Sequence, residues 1–523
     1  MVDVGDDAEV PGQLLGHDGI NPMRCGPTPH RCRDVPRLNS RAWSLPLDKR
    51  ILRRVASAAT RAWANTPARG PSRPSQEDAP LSAIFRNRAG LAGVVVVAIA
   101  LITGACGGSS NSGGSTFKGT IRIGYSGALT GQSQLYGHAI SQSAKLAAED
   151  INAKGGINGY KVEADVLDDG TTVDKAASNT RQLILQDNVK ALLGPVTSAQ
   201  CQATSLIAKQ NKVLTVGATC NSYQLTTEPD LVNPYWVSIV PNTYMEGTAA
   251  GQLAAKTGAK KIFVVSPRYL FGISETNAFI ASIKKGAPGT AILNEGSYVP
   301  FPTNPRWDST INQIQAARPD LIYANIFAAD QINFITQALQ VDPEFFKRYP
   351  MTTLSSVDEL NTLKDKYPLG MKLYMRAPFF ALNNQRMNDF VSHYRAKYSE
   401  WPSDWAVMDY DAMQLYAQAA NAAKSFDADK VRGQIVGHSF SSLRGYNYRI
   451  RKEDQQANVG ETVGTTATSG GKYPFPTLSA STNLKGDDLI MPTGLVSELK
   501  EGKCEQNNDP AKTDFALCPS WKK

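Results

Sequence analysis

The 523 residues are 42% hydrophobic and 20% charged, which excludes a disordered chain and gives material for roughly two to four domains. The formal net charge is +8, but residues 1–105 hold 14 Lys and Arg against 9 Asp and Glu, so the remainder is nearly neutral and nucleic acid is not an expected partner. Seven cysteines, at 25, 32, 106, 201, 220, 504 and 518, form no Cys-x-x-Cys and no Cys/His spacing suited to zinc, so neither a metal nor a cofactor is expected.

Residues 1–85 mix Pro, Arg, Gly and Ser without sustained periodicity and read as an unstructured extension. Arg86 and Arg88 then precede an apolar run from Gly90 to Ile102, too short to span a bilayer comfortably, followed by Thr103-Gly104-Ala105-Cys106. A basic start, a short apolar stretch and small residues before a cleavage point are the parts of a signal peptide, here residues 86–105. The junction resembles a bacterial lipobox with Thr103 in the usual aliphatic place, so Cys106 is expected to carry a lipid and to begin the mature protein. The Gly/Ser stretch to residue 118 would then tether a domain to a membrane. Because signal peptides work at the start of a chain, translation is expected to begin nearer Leu81, so that the first 80 residues are not part of the protein. With Cys106 used, Cys201, Cys220, Cys504 and Cys518 remain, an even count suited to an oxidising compartment.

From Ile121 a short apolar run ends in a turn rich in Gly, Ser and Thr, and a helical pattern opens at Gly137, as where a strand feeds a helix in an open α/β sheet. Such turns bind ligands, because strand carboxyl ends and helix amino ends aim free backbone N–H groups into one crevice. Ile140, Ala144, Ala147 and Ile151 share one helical face, and Gly155-Gly156 stops the helix. Strands are predicted at Tyr160–Asp168, Val189–Leu193, Val213–Gly217, Ile262–Ser266 and Leu321–Asn325. Helices are predicted at Asp174–Asp187, Ser198–Gln210, Thr243–Thr257, Gly272–Lys285, Asp308–Ala317 and Ala329–Leu339. The alternation is that of parallel sheets covered on both faces, and its length predicts two α/β lobes with a ligand cleft between them.

Asp150-Ile-Asn-Ala-Lys-Gly-Gly-Ile-Asn-Gly159, Asp168-Asp169, Gly194-Pro-Val-Thr-Ser198, Val213-Leu-Thr-Val-Gly-Ala-Thr219, Trp401-Pro402 and Tyr410-Asp411-Ala412 follow one another along the chain. Together they resemble the extracellular substrate-binding proteins of branched-chain amino acid ABC transporters, over most of residues 119–450. The resemblance implies a type I periplasmic-binding fold, two doubly wound parallel-sheet lobes joined by a hinge. It places lobe 1 at 119–241 plus about 378–446, lobe 2 at 242–377 plus about 447–500, and a tail at 501–523. It further implies a monomer with no catalytic activity, anchored outside the cell membrane and serving a permease and an ATPase.

By the same resemblance, Ser198 and Thr219 grip the carboxylate of an amino acid, Gly217 supplies backbone, and Tyr136 and Phe327 line the pocket. Hydroxyls at a helix amino end hold an anion without a buried Arg; Ser198 is equally readable as a plain N-cap, and the two aromatic residues as core. The ammonium partner would be Asp358, although Ser-Val-Asp-Glu is also an ordinary helix start. If no acid reaches the cleft, the ligand is instead urea, a short amide or another small polar metabolite. Cys201 and Cys220 directly follow the two ligand loops and are expected to be bonded, as are Cys504 and Cys518 in the tail. The stretch 460–480 departs from the family and is read as a surface loop.

No enzyme constellation stands against this reading. His138, His393 and His438 have no metal spacing, no Gly-x-Ser-x-Gly is present, and Gly470-Gly471-Lys472 lacks the spacing of a P-loop. A ligand sensor of the same two-lobed build would normally continue into a membrane span; none follows the lobes before Lys523, which favours transport.

Overall fold

The computed structural model describes residues 117–301, 306–504 and 515–522; the proposed signal segment and Cys106 lie outside the described residues. Two sheets organise them. The first has five parallel strands in the order β2-β1-β3-β4-β5: β1 Thr120–Gly127, β2 Lys161–Asp168, β3 Ala191–Leu193, β4 Thr215–Gly217 and β5 Trp236–Ser238. Its order reverses between β1 and β3, where a doubly wound sheet opens a crevice at the strand carboxyl ends.

The helix Gln134–Ala153 follows β1 and buries Tyr136, Ile140, Ala144, Ala147 and Ile151, the spacing of an apolar stripe. Gly155 and Gly156 end it with φ of 95° and 74°, and a Cβ on Gly156 would lie 1.9 Å from the Tyr160 carbonyl oxygen. Only glycine fits such a turn.

The second sheet takes the order β14-β13-β10-β9-β8-β6-β7, with β6 Lys261–Val265, β7 Ala291–Ile292, β8 Leu321–Ala324, β9 Met351–Leu354, β10 Lys372–Met375, β13 Glu461–Ala467 and β14 Thr477–Leu484. Strands β6 to β10 are parallel, whereas β13 runs antiparallel to β10 and to β14. A small antiparallel ribbon, β11 Ser439–Ser441 with β12 Asn447–Arg449, stands apart.

The hairpin corrects the expectation of a surface loop at 460–480. Thr462, Val463 and Thr465 are β-branched and pair with both neighbours; residues 468–476 connect the two strands, with Gly470 and Gly471 at φ of 64° and 85°. Its many Ser, Thr and Gly concealed the strand period.

The chain passes between the sheets after β5, after β10 and before β13. The first and third passages are bonded to each other: Ser238 N donates to Gln455 O (3.0 Å), Ala457 N to Ser238 O (2.8 Å) and Gln456 Nε2 to Val240 O (2.7 Å). The second passage leads to helices Gln385–Tyr398 and Asp404–Ala423, the latter anchored on the first sheet by Tyr416 Oη donating to Lys190 O (3.1 Å). The helix Thr243–Ala255 crosses Leu270–Gly286 so closely that a Cβ on Gly247 would lie 2.5 Å from Glu275 O. That crossing brings Glu246 and Glu275 into one buried region.

Both expected disulfides are present, Cys201–Cys220 with Cα atoms 6.4 Å apart and Cys504–Cys518 at 4.7 Å. The second closes the tail over Tyr223 and Tyr244, with Phe515 5.7 Å and 5.5 Å from their rings. Among the described residues no helix is long and apolar enough to cross a membrane.

Cys201 and Cys220 bound a loop of 19 residues' separation, for which loop closure predicts about 3 kcal/mol. The C201S/C220S variant is therefore expected to unfold at lower denaturant by about that free energy, with an m-value that rises as the unfolded chain expands. An unchanged midpoint would show that the bond adds nothing to the fold.

Candidate functional site

The carboxyl ends of both sheets face one cleft. On the first sheet, β3 runs into Gly194–Thr197 and the helix Ser198–Asn211. Thr197, not Ser198, is its N-cap: Thr197 Oγ1 accepts from Gln200 N (3.3 Å), and the Gln200 side chain accepts in return from Thr197 N (3.1 Å). Ser198 Oγ is thereby left to face the cleft, accepting from Ser222 N at 3.3 Å. Thr219 follows β4, and its hydroxyl donates to Pro195 O (2.7 Å), tying one loop to the other. Cys201–Cys220 makes the same tie covalently.

Gly217 lies behind these loops, where a Cβ would approach Trp236 Cζ2 to 2.5 Å. The requirement for glycine at this position is set by packing against the indole.

The second sheet contributes Tyr269 and Phe271 beyond β6, Phe327 beyond β8, Leu354 at the end of β9 and Arg376 directly after β10. Ser198, Thr219 and Phe327 thus share one cavity with Asn221, Arg376 and Trp405, whereas Gly217 and Asp358 do not line it. Tyr136 stands beside it, its ring stacked 4.1 Å from Trp405 and 6.0 Å from Phe327. The cavity volume is about 10 Å³, room for about one water. The lobes are closed.

Closure is held by polar contacts between the lobes. Tyr136 Oη donates to the Glu359 carboxylate and accepts from Ala328 N at 3.0 Å, and Ala328 N is also 2.8 Å from Glu359 Oε1. Ala328 adopts φ of 50°, outside the usual region for a residue with a Cβ, which turns its N–H to this cluster. Gln132 donates to Asp330 across the same gap, and burial pushes the Asp330 carboxyl up to about 7 despite that bond.

Asp358 sits in the first turn of the helix Val357–Leu363, its N–H donating to Ser356 Oγ (3.1 Å). Burial, then the neighbouring Glu359, raises its pKa well above the usual carboxylate range. The helix-start reading of Ser-Val-Asp-Glu accounts for its place. Asp404 accepts from Val357 N (3.1 Å) and Ala377 N (2.8 Å), so it fixes that helix, the residue after Arg376, and Trp405 in one frame. Burial lifts Asp404 to about 6, opposed by those backbone donors.

Arg376, only 3% exposed, is the charged centre. Its Nε and Nη2 donate to Glu246, its Nη1 donates to Thr219 O (2.8 Å), and its guanidinium lies 4.6 Å from the Trp405 ring. Burial opposes its charge, but Glu246 more than compensates and raises its pKa. Burial likewise raises Glu246 against the pull of Arg376. Two more carboxyls lie nearby. Tyr323 Oη (2.9 Å) and Tyr374 Oη (2.5 Å) donate to Glu275, which burial and the charge of Glu246 push up to about 8. The Glu461 carboxyl has no hydrogen-bond partner among the described residues and is raised well above its usual range by burial and then Glu246.

Sequence reasoning missed Arg376, Trp405, Asn221 and Glu359. Arg376 follows a strand that went unpredicted, and a lone Arg at a strand end carries no periodic signal. Trp405 stands four residues after the recognised Trp401-Pro402 and near the start of a helix, where it reads as core.

A closed pair of doubly wound sheets with a shared polar and aromatic cleft defines a two-lobed ligand-binding protein. Residues 120–471, more than half of the chain, match the family described as periplasmic binding protein, and the chain belongs to that family. One relative is Leu/Ile/Val-binding protein homolog 8 of Brucella abortus (strain 2308), 24% identical over 356 residues, covering 62% of this chain and 83% of that protein. Two solved structures share the fold. The leucine-binding protein LivK of Thermotoga maritima has a TM-score of 0.60 at 21% identity, covering 71% of this chain and 100% of that one. A solute-binding protein of an ABC transporter from Rhodopseudomonas palustris BisB5, solved with 3,4-dihydroxybenzoic acid, has a TM-score of 0.61 at 22% identity, covering 70% and 98%.

The buried carboxyls set a pH dependence. An unfolded glutamate releases its proton near its ordinary value of 4.5, while folded Glu275 holds it to about 8. The unfolded state therefore binds fewer protons across that window, and stability falls as pH rises through it. Glu275→Gln keeps an acceptor for both tyrosines and cannot ionise. It is expected to flatten the fall by on the order of a few kcal/mol, read as urea midpoints at about pH 5, 6.5 and 8. An equally steep fall in the variant would remove Glu275 from the account.

Proposed function

We propose that this chain is the extracytoplasmic solute-binding component of an ABC importer. It captures a small carboxylate-bearing solute between its lobes and presents the closed complex to a permease driven by an ATPase. The observation that carries the reading is the meeting of Ser198, Thr219, Asn221 and Arg376 with Phe327 and Trp405 in one closed interlobe cavity. Hydroxyl, amide and guanidinium groups suit a carboxylate, and the aromatic wall suits an apolar body. The Leu/Ile/Val-binding relative and the aromatic acid held by the Rhodopseudomonas protein both support a ligand of this chemistry. The family supports a binding rather than a catalytic role.

The lobe limits at 119–241 plus about 378–446 and 242–377 plus about 447–500 belong to the same reading. So does a lipid on Cys106, which would keep the protein at the outer face of the cell membrane; the apolar run ending in Thr-Gly-Ala-Cys supports it. Aliphatic amino acids are the ligands the resemblance implies, with amides and urea as the alternative.

The test is thermal unfolding of protein freed of carried solute, against amino acids, amides, urea and organic acids. A ligand at a hundred times its Kd stabilises the fold by about 2.7 kcal/mol. Ser198→Ala is expected to weaken that ligand about tenfold, the worth of one lost hydrogen bond of roughly 1.4 kcal/mol. A panel without any shift would refute the solute-binding reading.

A further inference from the structure

We infer that the cleft selects a carboxylate without an ammonium group, an apolar aliphatic or aromatic acid, and that Arg376 is the residue that makes the selection. The inference rests on the solute-binding reading above and narrows its ligand class.

Among the described residues lining the cavity, Arg376 is the sole charged side chain; the others are hydroxyl, amide, aliphatic or aromatic. A buried ammonium group needs an anion or an open aromatic face. The nearby acids are bonded elsewhere or, like the unpartnered Glu461 carboxyl, do not line the cavity. Glu359 bonds Tyr136, Ala328 N and Ser356 N, and Asp358 stays with Ser356 at the helix start. Glu246 accepts from Arg376 and Asn221. Trp405 carries Arg376 at 4.6 Å and Tyr136 at 4.1 Å, and an ammonium group on any other ring of the lining would share the cavity with the same guanidinium. An ammonium group in this space would meet the guanidinium and find no counter-charge.

A carboxylate meets the opposite situation. A guanidinium has five N–H donors, of which Nε, Nη1 and Nη2 each use one, on Glu246 and on Thr219 O; the rest have no partner among the described residues. The Arg376–Thr219 contact spans the gap between the second sheet and the first-lobe loops. An acid entering there is held between the fork and the Ser198 hydroxyl, with its apolar body against Phe327 and Phe271. Glu246 fixes the fork from behind and keeps it charged.

The experiment compares ligand pairs that differ only in the ammonium group. These are 4-methylpentanoate against leucine and 3-phenylpropanoate against phenylalanine, titrated calorimetrically into the full chain freed of carried solute. The expected result is at least about tenfold tighter binding of the acid in one pair or both. The double variant R376Q/E246Q, which removes both charges together so that neither is left buried alone, is expected to bring that ratio close to one. An amino acid that binds as tightly as its acid, or a folded double variant that keeps the preference, overturns the inference while leaving solute binding intact. Should the double variant not fold, the ratio in the unaltered protein decides. If neither these pairs nor amides and urea bind, the solute-binding reading fails and this inference with it.

Discussion

One buried guanidinium links the parts of the binding region. Arg376 leaves the second sheet at the end of β10, reaches the Thr219 carbonyl at the end of β4, and pairs with Glu246 on the first helix after the crossing. Taking such a pair out of water costs several kcal/mol per ion, recovered only when the geometry satisfies both partners. The aromatic stack of Trp405 and Tyr136 and the frame set by Asp404 supply that geometry. Stacking, capping and closure are therefore coupled, because each keeps the same charge dry and bonded.

The passages between the sheets divide the work of hinge and latch. The first and third are stitched by Ser238, Gln455, Gln456 and Ala457 through backbone and amide bonds that involve no residue lining the cavity. Those bonds can persist while the lobes rotate. The contacts at the cleft mouth, Tyr136 with Glu359 and Gln132 with Asp330, are side-chain bonds that must break when the lobes part. In this closed form burial pushes the Asp330 carboxyl up to about 7, against the Gln132 bond. Protonation and closure thus favour one another, by linkage at a single carboxyl.

Much of this was legible in the sequence, for definable reasons. The helix face of Ile140, Ala144, Ala147 and Ile151, the Gly155-Gly156 stop and the alternation of strands and helices are local patterns with a fixed period, and the structure keeps them. Ser198 and Thr219 came from the family resemblance carried by Gly194-Pro-Val-Thr-Ser198 and Val213-Leu-Thr-Val-Gly-Ala-Thr219, and both line the cavity. What stayed hidden has meaning only in three dimensions. Arg376 acquires its partners from residues 130 and 157 positions away. Whether Ser198 was ligand or cap stayed open because Thr197 offers the same hydroxyl one residue earlier, and only the Gln200 contact distinguishes them. The β13–β14 hairpin was concealed by small polar residues whose strand character comes from pairing with β10.

The closed, nearly filled cleft carries an energetic consequence. Arg376 and the aromatic side chains occupy space that a solute would need, so binding has to begin from an open form. The apparent affinity is the intrinsic one scaled by the fraction of molecules open and competent. Every contact that stabilises the empty closed state lowers that fraction, and about 1.4 kcal/mol in its favour weakens capture tenfold. A ligand succeeds by outweighing those contacts: a carboxylate on Arg376 in place of the neutral Thr219 carbonyl is such an exchange, since the anion adds charge–charge attraction to a bond the guanidinium already assists. Selectivity then comes from which solutes can make that exchange, and the guanidinium sets the sign of the charge they must bring.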